Sequence, residues 1–183
     1  MTLALFVLAA FCAVNAPRCR TVVPTGGDRM RALAGLGAGL TFVVLLPLAV
    51  FADPLLDALG ISAATARLAT GLLLLATGLL NFGWPRPEPE PALRGWRAAV
   101  VPIAFPTLLT PGLALLAVVG SADRGPPTAL VVLALALATV PAVVALPSGA
   151  RTRSRVLDGL ARALSGLLVL AGFGLLMDGV FDI

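Results

Sequence analysis

The sequence predicts an all-α membrane protein: six transmembrane helices arranged as two inverted three-helix repeats, with helices one and four interrupted. Three observations predict it. First, the 183 residues are 59% hydrophobic and only 12% charged, with mean hydropathy +1.02, whereas soluble domains carry roughly a quarter of charged residues. Second, five nearly charge-free segments, 32–52, 64–82, 98–120, 127–147 and 159–177, approach the ~20 helical residues that cross a hydrocarbon core of about 30 Å. Third, a stretch of the first half recurs in register 95 residues later.

Helix one is residues 3–17, only 15 residues, or about 22 Å at the α-helical rise. Its start, "MTLALFVLAA", lacks the basic residues of a removable signal, and the "VNA" that could end one runs into Pro17. The segment is therefore expected to stay as a helix. Arg18 and Arg20 follow at once. They either snorkel to headgroups from a short, tilted helix or line a cavity as counter-charges for an anionic substrate. Cys12 and Cys19 have no histidine anywhere to complete a metal site, and fit small buried hydrophobes.

Helix two, 32–52, carries Gly35, Gly37 and Gly39, which with Gly71 and Gly166 suit close helix packing. Helix three, 64–82, has Asn81 near its inner end as an interfacial cap. The polar stretch "GWPRPEPEPALRGWR", 83–97, alternates Pro and Glu, which disfavours helix and strand alike and predicts an extended cytoplasmic linker. It divides the chain into repeats 1–82 and 98–183 of one compact membrane domain.

Helix four, 98–120, holds Pro106, Pro111 and Gly112 near its middle. Pro111 cannot donate to the carbonyl of Thr107, nor Pro106 to that of Pro102; an unrelieved interior proline costs about 3 kcal/mol or more. Gly112 lets the backbone leave helical angles. Unwound backbone is forbidden against lipid and survives only against protein or a water-filled cavity. Helix four is thus expected to be unwound or sharply bent between Pro106 and Gly112, facing protein or water. Helix five is 127–147, and helix six, 159–177, closes with Asp178, Gly179 and Asp182 as a solvated outer end.

At an offset of 95, "ARLATGLLLLA" (66–76) falls on "ARALSGLLVLA" (161–171), with seven of eleven positions identical and Thr70 opposite Ser165. "NAP" (15–17) meets "TPG" (110–112) at the same offset, so the irregularities of helices one and four coincide. Three helices per repeat is an odd number, so the second copy must insert upside down. Inverted repeats with interrupted helices are the sequence pattern of secondary transporters, which bind substrate near the midplane. All thirteen basic residues are arginine, and eleven of them fall in or beside the loops after helices one, three and five. The positive-inside rule then places those loops in the cytoplasm and both termini outside. These arginines mark topology rather than nucleic-acid binding.

The half-helix beginning near Gly112 offers free N–H groups and a positive dipole end to a carboxylate, and the half-helix before it offers carbonyls to an ammonium. A small zwitterion fits both without a charged side chain, and helix four has none between Arg97 and Asp123. The candidate binding residues are Asn15, Pro17, Pro106, Thr107, Thr110, Pro111 and Gly112. The expected partners are a small-molecule substrate and the lipid bilayer. No cofactor is expected; a coupling proton or Na+ is compatible, although no titratable side chain marks its path. The absence of His and Lys removes metalloprotease, serine–histidine and serine–lysine chemistry, so no enzyme is expected.

"VPIAFPTLLTPG" (101–112) resembles the fourth-helix motif of the MarC family, approximately P-L-A-x-P-x-x-x-G-P-G, with Pro102, Ala104, Pro106, Pro111 and Gly112 in place and Thr110 for a usual glycine. "ARLATGLLLLATGLL" resembles the family's third helix and "LARALSGLLVLAGFGLLMDGV" its sixth. In helix one the family's Asn-Pro-x-Gly becomes Asn15, Ala16, Pro17, Arg18: the asparagine carries over, the proline is displaced by one, and the glycine is missing. The resemblance implies a multi-pass inner (plasma) membrane protein and a transporter of small neutral amino acids such as glycine or alanine. The alternative is an exporter or channel for another small, anionic solute that uses Arg18 and Arg20.

Overall fold

The computed structural model describes residues 1–22, 27–83, 99–146 and 151–182, and no strand occurs among them. In chain order they form α1 (Leu3–Val14), α2 (Ala16–Val22), α3 (Gly27–Val50), α4 (Ala52–Leu59), α5 (Ala63–Gly83), a kinked segment (Ala99–Leu108), α6 (Pro111–Arg124), α7 (Pro126–Val144) and α8 (Arg151–Phe181). Residues 84–97 of the expected linker and residue 98 lie outside the described residues, as do the side chains of Arg20, Pro102 and the arginines at 151, 153 and 155.

Among the described residues, four stretches are long and apolar enough to cross a membrane: Met30–Val50, Ala63–Phe82, Pro126–Val144 and Val156–Phe181. The kinked segment and α6 together make a fifth, bent by 65°. The expected first helix is the shorter apolar run Leu3–Cys19, itself broken at Asn15. Large apolar side chains point outward, among them Val43 on α3, Leu72 on α5, Leu135 on α7 and Leu170 on α8. So much exposed hydrocarbon is a liability in water but is neutral against lipid tails, as befits a membrane-embedded chain.

Several helix ends differ from the sequence reading: α3 begins earlier, at Gly27, α7 ends at Val144, and α8 runs from Arg151 to Phe181. Helix two ends at Val50, just short of the expected 52, and after a break at Phe51 the chain forms the separate helix α4. This short helix is amphipathic, with Ala52 and Leu56 buried and Asp53 and Asp57 exposed, and Gly60, at φ 64, ends it. Asn81 is no cap, because α5 runs on to Gly83 and leaves it inside the last turn.

The tightest packing joins α5 to α8. A Cβ at Gly71 would sit 2.7 Å from the carbonyl oxygen of Gly172, and one at Gly172 2.7 Å from the amide of Leu75. A Cβ at Gly78 would lie 2.9 Å from the Ser165 carbonyl oxygen, and one at Gly179 2.9 Å from that of Ala64. Positions rising along α5 meet positions falling along α8, so the two helices run antiparallel with their backbones touching. In each helix the two glycines are seven residues apart, close to two helical turns, and so share one face. Of the glycines the sequence singled out for packing, Gly71 and Gly37 are used; Gly37 faces Ile103 and the carbonyl of Ala99. Gly35, Gly39 and Gly166 face open space instead.

The remaining elements close around this pair. Phe6 of α1 is fully buried against Gly120 of α6, where a Cβ would lie 2.3 Å from its ring. α3 packs on α7, and Ser121 of α6 donates to the carbonyl of Ala49 on α3.

Gly71→Ala should force α5 and α8 apart and lower stability by about 1–3 kcal/mol. Gly166→Ala, with nothing within 4 Å, should raise it by about 0.5–1 kcal/mol through helix propensity alone. Thermal unfolding of the purified variants in detergent measures both.

Candidate functional site

The first break is one residue long. Asn15 ends α1 in the left-handed conformation, φ 41 and ψ 58, and its N–H donates to the carbonyl of Phe11 at 3.2 Å. Its own carbonyl then accepts from the amide of Arg18 at 2.9 Å and so opens α2. Asparagine tolerates left-handed angles better than most residues. Pro17, buried, stands in the first turn of α2, where its missing N–H removes no intrahelical bond.

The Asn15 side chain is 3% exposed and turns to α8. Its Nδ2 donates to the Ala161 carbonyl at 3.1 Å and to Ser165 Oγ at 3.2 Å. Ser165 Oγ, 2% exposed, donates to the same Ala161 carbonyl at 2.9 Å. Both amide protons are thus used, and the serine hydroxyl holds the amide in one orientation. That orientation leaves Asn15 Oδ1 buried with no hydrogen-bond partner. A buried acceptor without a donor costs about 1–3 kcal/mol, a cost that a bound N–H or O–H group removes.

The second break spans Leu109 and Thr110, between the kinked segment and α6. The kinked segment is itself irregular, with extended angles at Val101 and Phe105 and a cis peptide between Phe105 and Pro106. Leu109 donates to the carbonyl of Ala104 at 2.7 Å, a bond one residue longer than the α-helical one. Thr110 is the N-cap of α6: its Oγ1 accepts from the amide of Leu113 at 3.2 Å. Pro111 occupies the first helical position, where proline fits without loss. Gly112 is buried, and a Cβ there would lie 3.0 Å from Leu74 of α5.

The expected bend between Pro106 and Gly112 is therefore present, and it is sharp. Its surroundings are mixed. Leu108 and Gly112 face protein and Thr107 and Thr110 are half-buried, whereas Phe105, Pro106 and Pro111 lie on the surface of the chain. α1 packs on α6 and α2 on the kinked segment, so the two breaks belong to neighbouring elements. Their polar side chains nevertheless bond elsewhere, Asn15 to α8 and Thr110 within α6. Arg18 is half-buried on α2, three residues past the first break.

Sequence reasoning missed Ser165 as a partner of Asn15. The signal was its alignment with Thr70: each hydroxyl donates to the carbonyl four residues back, Thr70 to Ala66 at 2.7 Å and Ser165 to Ala161 at 2.9 Å. All four of these residues are buried. What the alignment could not give was the asparagine arriving from α1.

Asn15→Gly should keep the left-handed turn, while Asn15→Ala should lose a further ~1 kcal/mol because alanine is strained at those angles. The difference in unfolding temperature between the two variants measures it. No family model matches the chain, and neither a curated protein nor a solved structure does.

Proposed function

We propose that this protein is a secondary transporter of small neutral amino acids, glycine- or alanine-like zwitterions, working by alternating access between two inverted three-helix repeats. Assignment to the MarC family, location in the plasma membrane and extracytoplasmic termini belong to the same reading. One observation carries it: the two helix breaks fall 95 residues apart, Asn15 opposite Thr110. That is the offset at which the sequence halves align.

Other features agree. Ala16 and Pro17 open the helix after the first break as Pro111 and Gly112 open the helix after the second. Thr70 and Ser165 fill equivalent places, and elements related by the offset pack on each other, α5 on α8 and α3 on α7. Interrupted helices in corresponding places put helix ends, rather than charged side chains, at a central site. In this reading Asn15 Oδ1 accepts from the substrate ammonium, and the free N–H at the start of α6, at Gly112, receives its carboxylate. Thr107, Thr110, Pro106, Pro111 and Pro17 shape the two turns that present these groups.

Purified protein in liposomes should take up labelled glycine or alanine saturably under an imposed proton or sodium gradient. No saturable uptake of either, under both gradients, sinks the amino-acid assignment. Ser165→Ala should lower stability by only about 1 kcal/mol yet raise the KM for uptake, since it frees the Asn15 amide to turn.

A second reading, an exporter or channel for a small anionic solute, has the half-buried Arg18 in its favour. Replacing Arg18 and Arg20 together by Gln separates the two. Glycine KM should stay within about twofold if these arginines snorkel, whereas transport of an anion that depends on them is lost.

A further inference from the structure

Arg67, on the first turns of α5, meets the carboxylate of Asp123 with two nitrogens at once. Nη2 lies 2.7 Å from Oδ1, and Nε lies 3.0 Å from Oδ2. The guanidinium also pairs through Nη1 with Asp182, just beyond α8. The side chains of Arg67 and Asp123 are only 12% and 7% exposed. Other charges crowd the same end: the amino nitrogen of Met1 is 3.3 Å from Asp123 and 3.1 Å from Asp178. Arg124 donates to the Met1 carbonyl at 2.6 Å.

These ion pairs join parts that the rest of the packing treats differently. α5 and α8 touch backbone to backbone at four glycines, the tightest helix pair in the fold. α6 approaches α5 at a single glycine, Gly112, which lies under the Leu74 side chain and the backbone of Leu73. α6 is also the half-helix that begins at the second break. Its far end, at Asp123, is about 20 Å from Thr110. A lever hinged at the break swings most at that end, where Arg67 holds it together with the Ser121 bond to Ala49 and the Met1 amine on Asp123. A bidentate, poorly hydrated guanidinium–carboxylate pair is strong while closed. Once separated, each partner is stable only in water, which suits a contact with two states, dry and closed or wet and open.

We propose that the Arg67–Asp123 pair, backed by Asp182, is a gate: it pins the far end of α6 to the α5–α8 body and closes the break to the membrane face on which Arg67 lies. It rests on the transport reading, because a gate needs a path to close. The test uses labelling rather than transport. Cys12 and Cys19 are replaced by Ala in the full-length chain, and Leu109→Cys, at the break, reports access to a membrane-impermeant maleimide added to either face. Arg67→Gln or Asp123→Asn should speed labelling from the Arg67 face by roughly tenfold, within the usual range of coupling between distant sites. The exchange Arg67→Asp with Asp123→Arg should restore the slow rate. An unchanged rate in well-folded single variants overturns the gate, as does an exchanged pair that folds and labels fast. Loss of folded protein in all three variants also overturns it, since the pair is then structural alone. The labelling is read without substrate, so absent glycine uptake would count against the transport reading only.

Discussion

The structure depends most on the contact between α5 and α8. Two helices can approach until their backbones touch only where no side chain intervenes, and Gly71, Gly78, Gly172 and Gly179 remove the side chains along one shared line. Inside a membrane no hydrophobic effect draws helices together, since lipid is as apolar as leucine; close van der Waals contact and interhelical hydrogen bonds do it instead. The glycine line supplies the first. It also fixes Ser165 and Ala161 of α8, the two groups that receive the Asn15 amide.

Around that pair, helix breaks are built so that few backbone groups are stranded. Asn15 closes one helix with its amide and opens the next with its carbonyl. Thr110 caps α6, and Pro111 stands where an N–H would have had no intrahelical partner. A proline that breaks a continuous helix is an ordinary first residue once the helix starts there. At these breaks, among the described residues, a buried polar atom left without a partner is on a side chain, Asn15 Oδ1, whose amide is bonded to Ser165 and Ala161.

Much of this was legible before any coordinates. Pro106, Pro111 and Gly112 announced a break in helix four, because proline chemistry is local and needs no partner to act. Asn15 and Pro17 announced the other by falling on "TPG" at the same offset. The partner of Asn15 was not legible, because it sits 150 positions away along the chain and serine is unremarkable in a membrane helix. The glycine line was only half legible. Gly71 stands with Gly35, Gly37, Gly39 and Gly166 among the glycines that suit close packing, while its true counterparts, Gly78 on the same face and Gly172 opposite, carry no mark except their spacing. Gly166, equally conspicuous in sequence, faces open space.

By itself, then, the sequence determined the all-helical class, the membrane environment, the positions of the long apolar helices and the two places where helices must break. These follow from composition, apolar segment length and backbone restrictions, all of which act over a few residues. Only the tertiary structure decided which faces touch: which glycines are used, that the Asn15 amide bonds to α8, and that Arg67 reaches Asp123 and Asp182. It also decided that the chain breaks at Phe51 and goes on as the short helix α4. Such choices depend on the distances between helices and on which way each one is rotated. Those are set by packing of segments far apart in the chain, and no local rule in the sequence contains them.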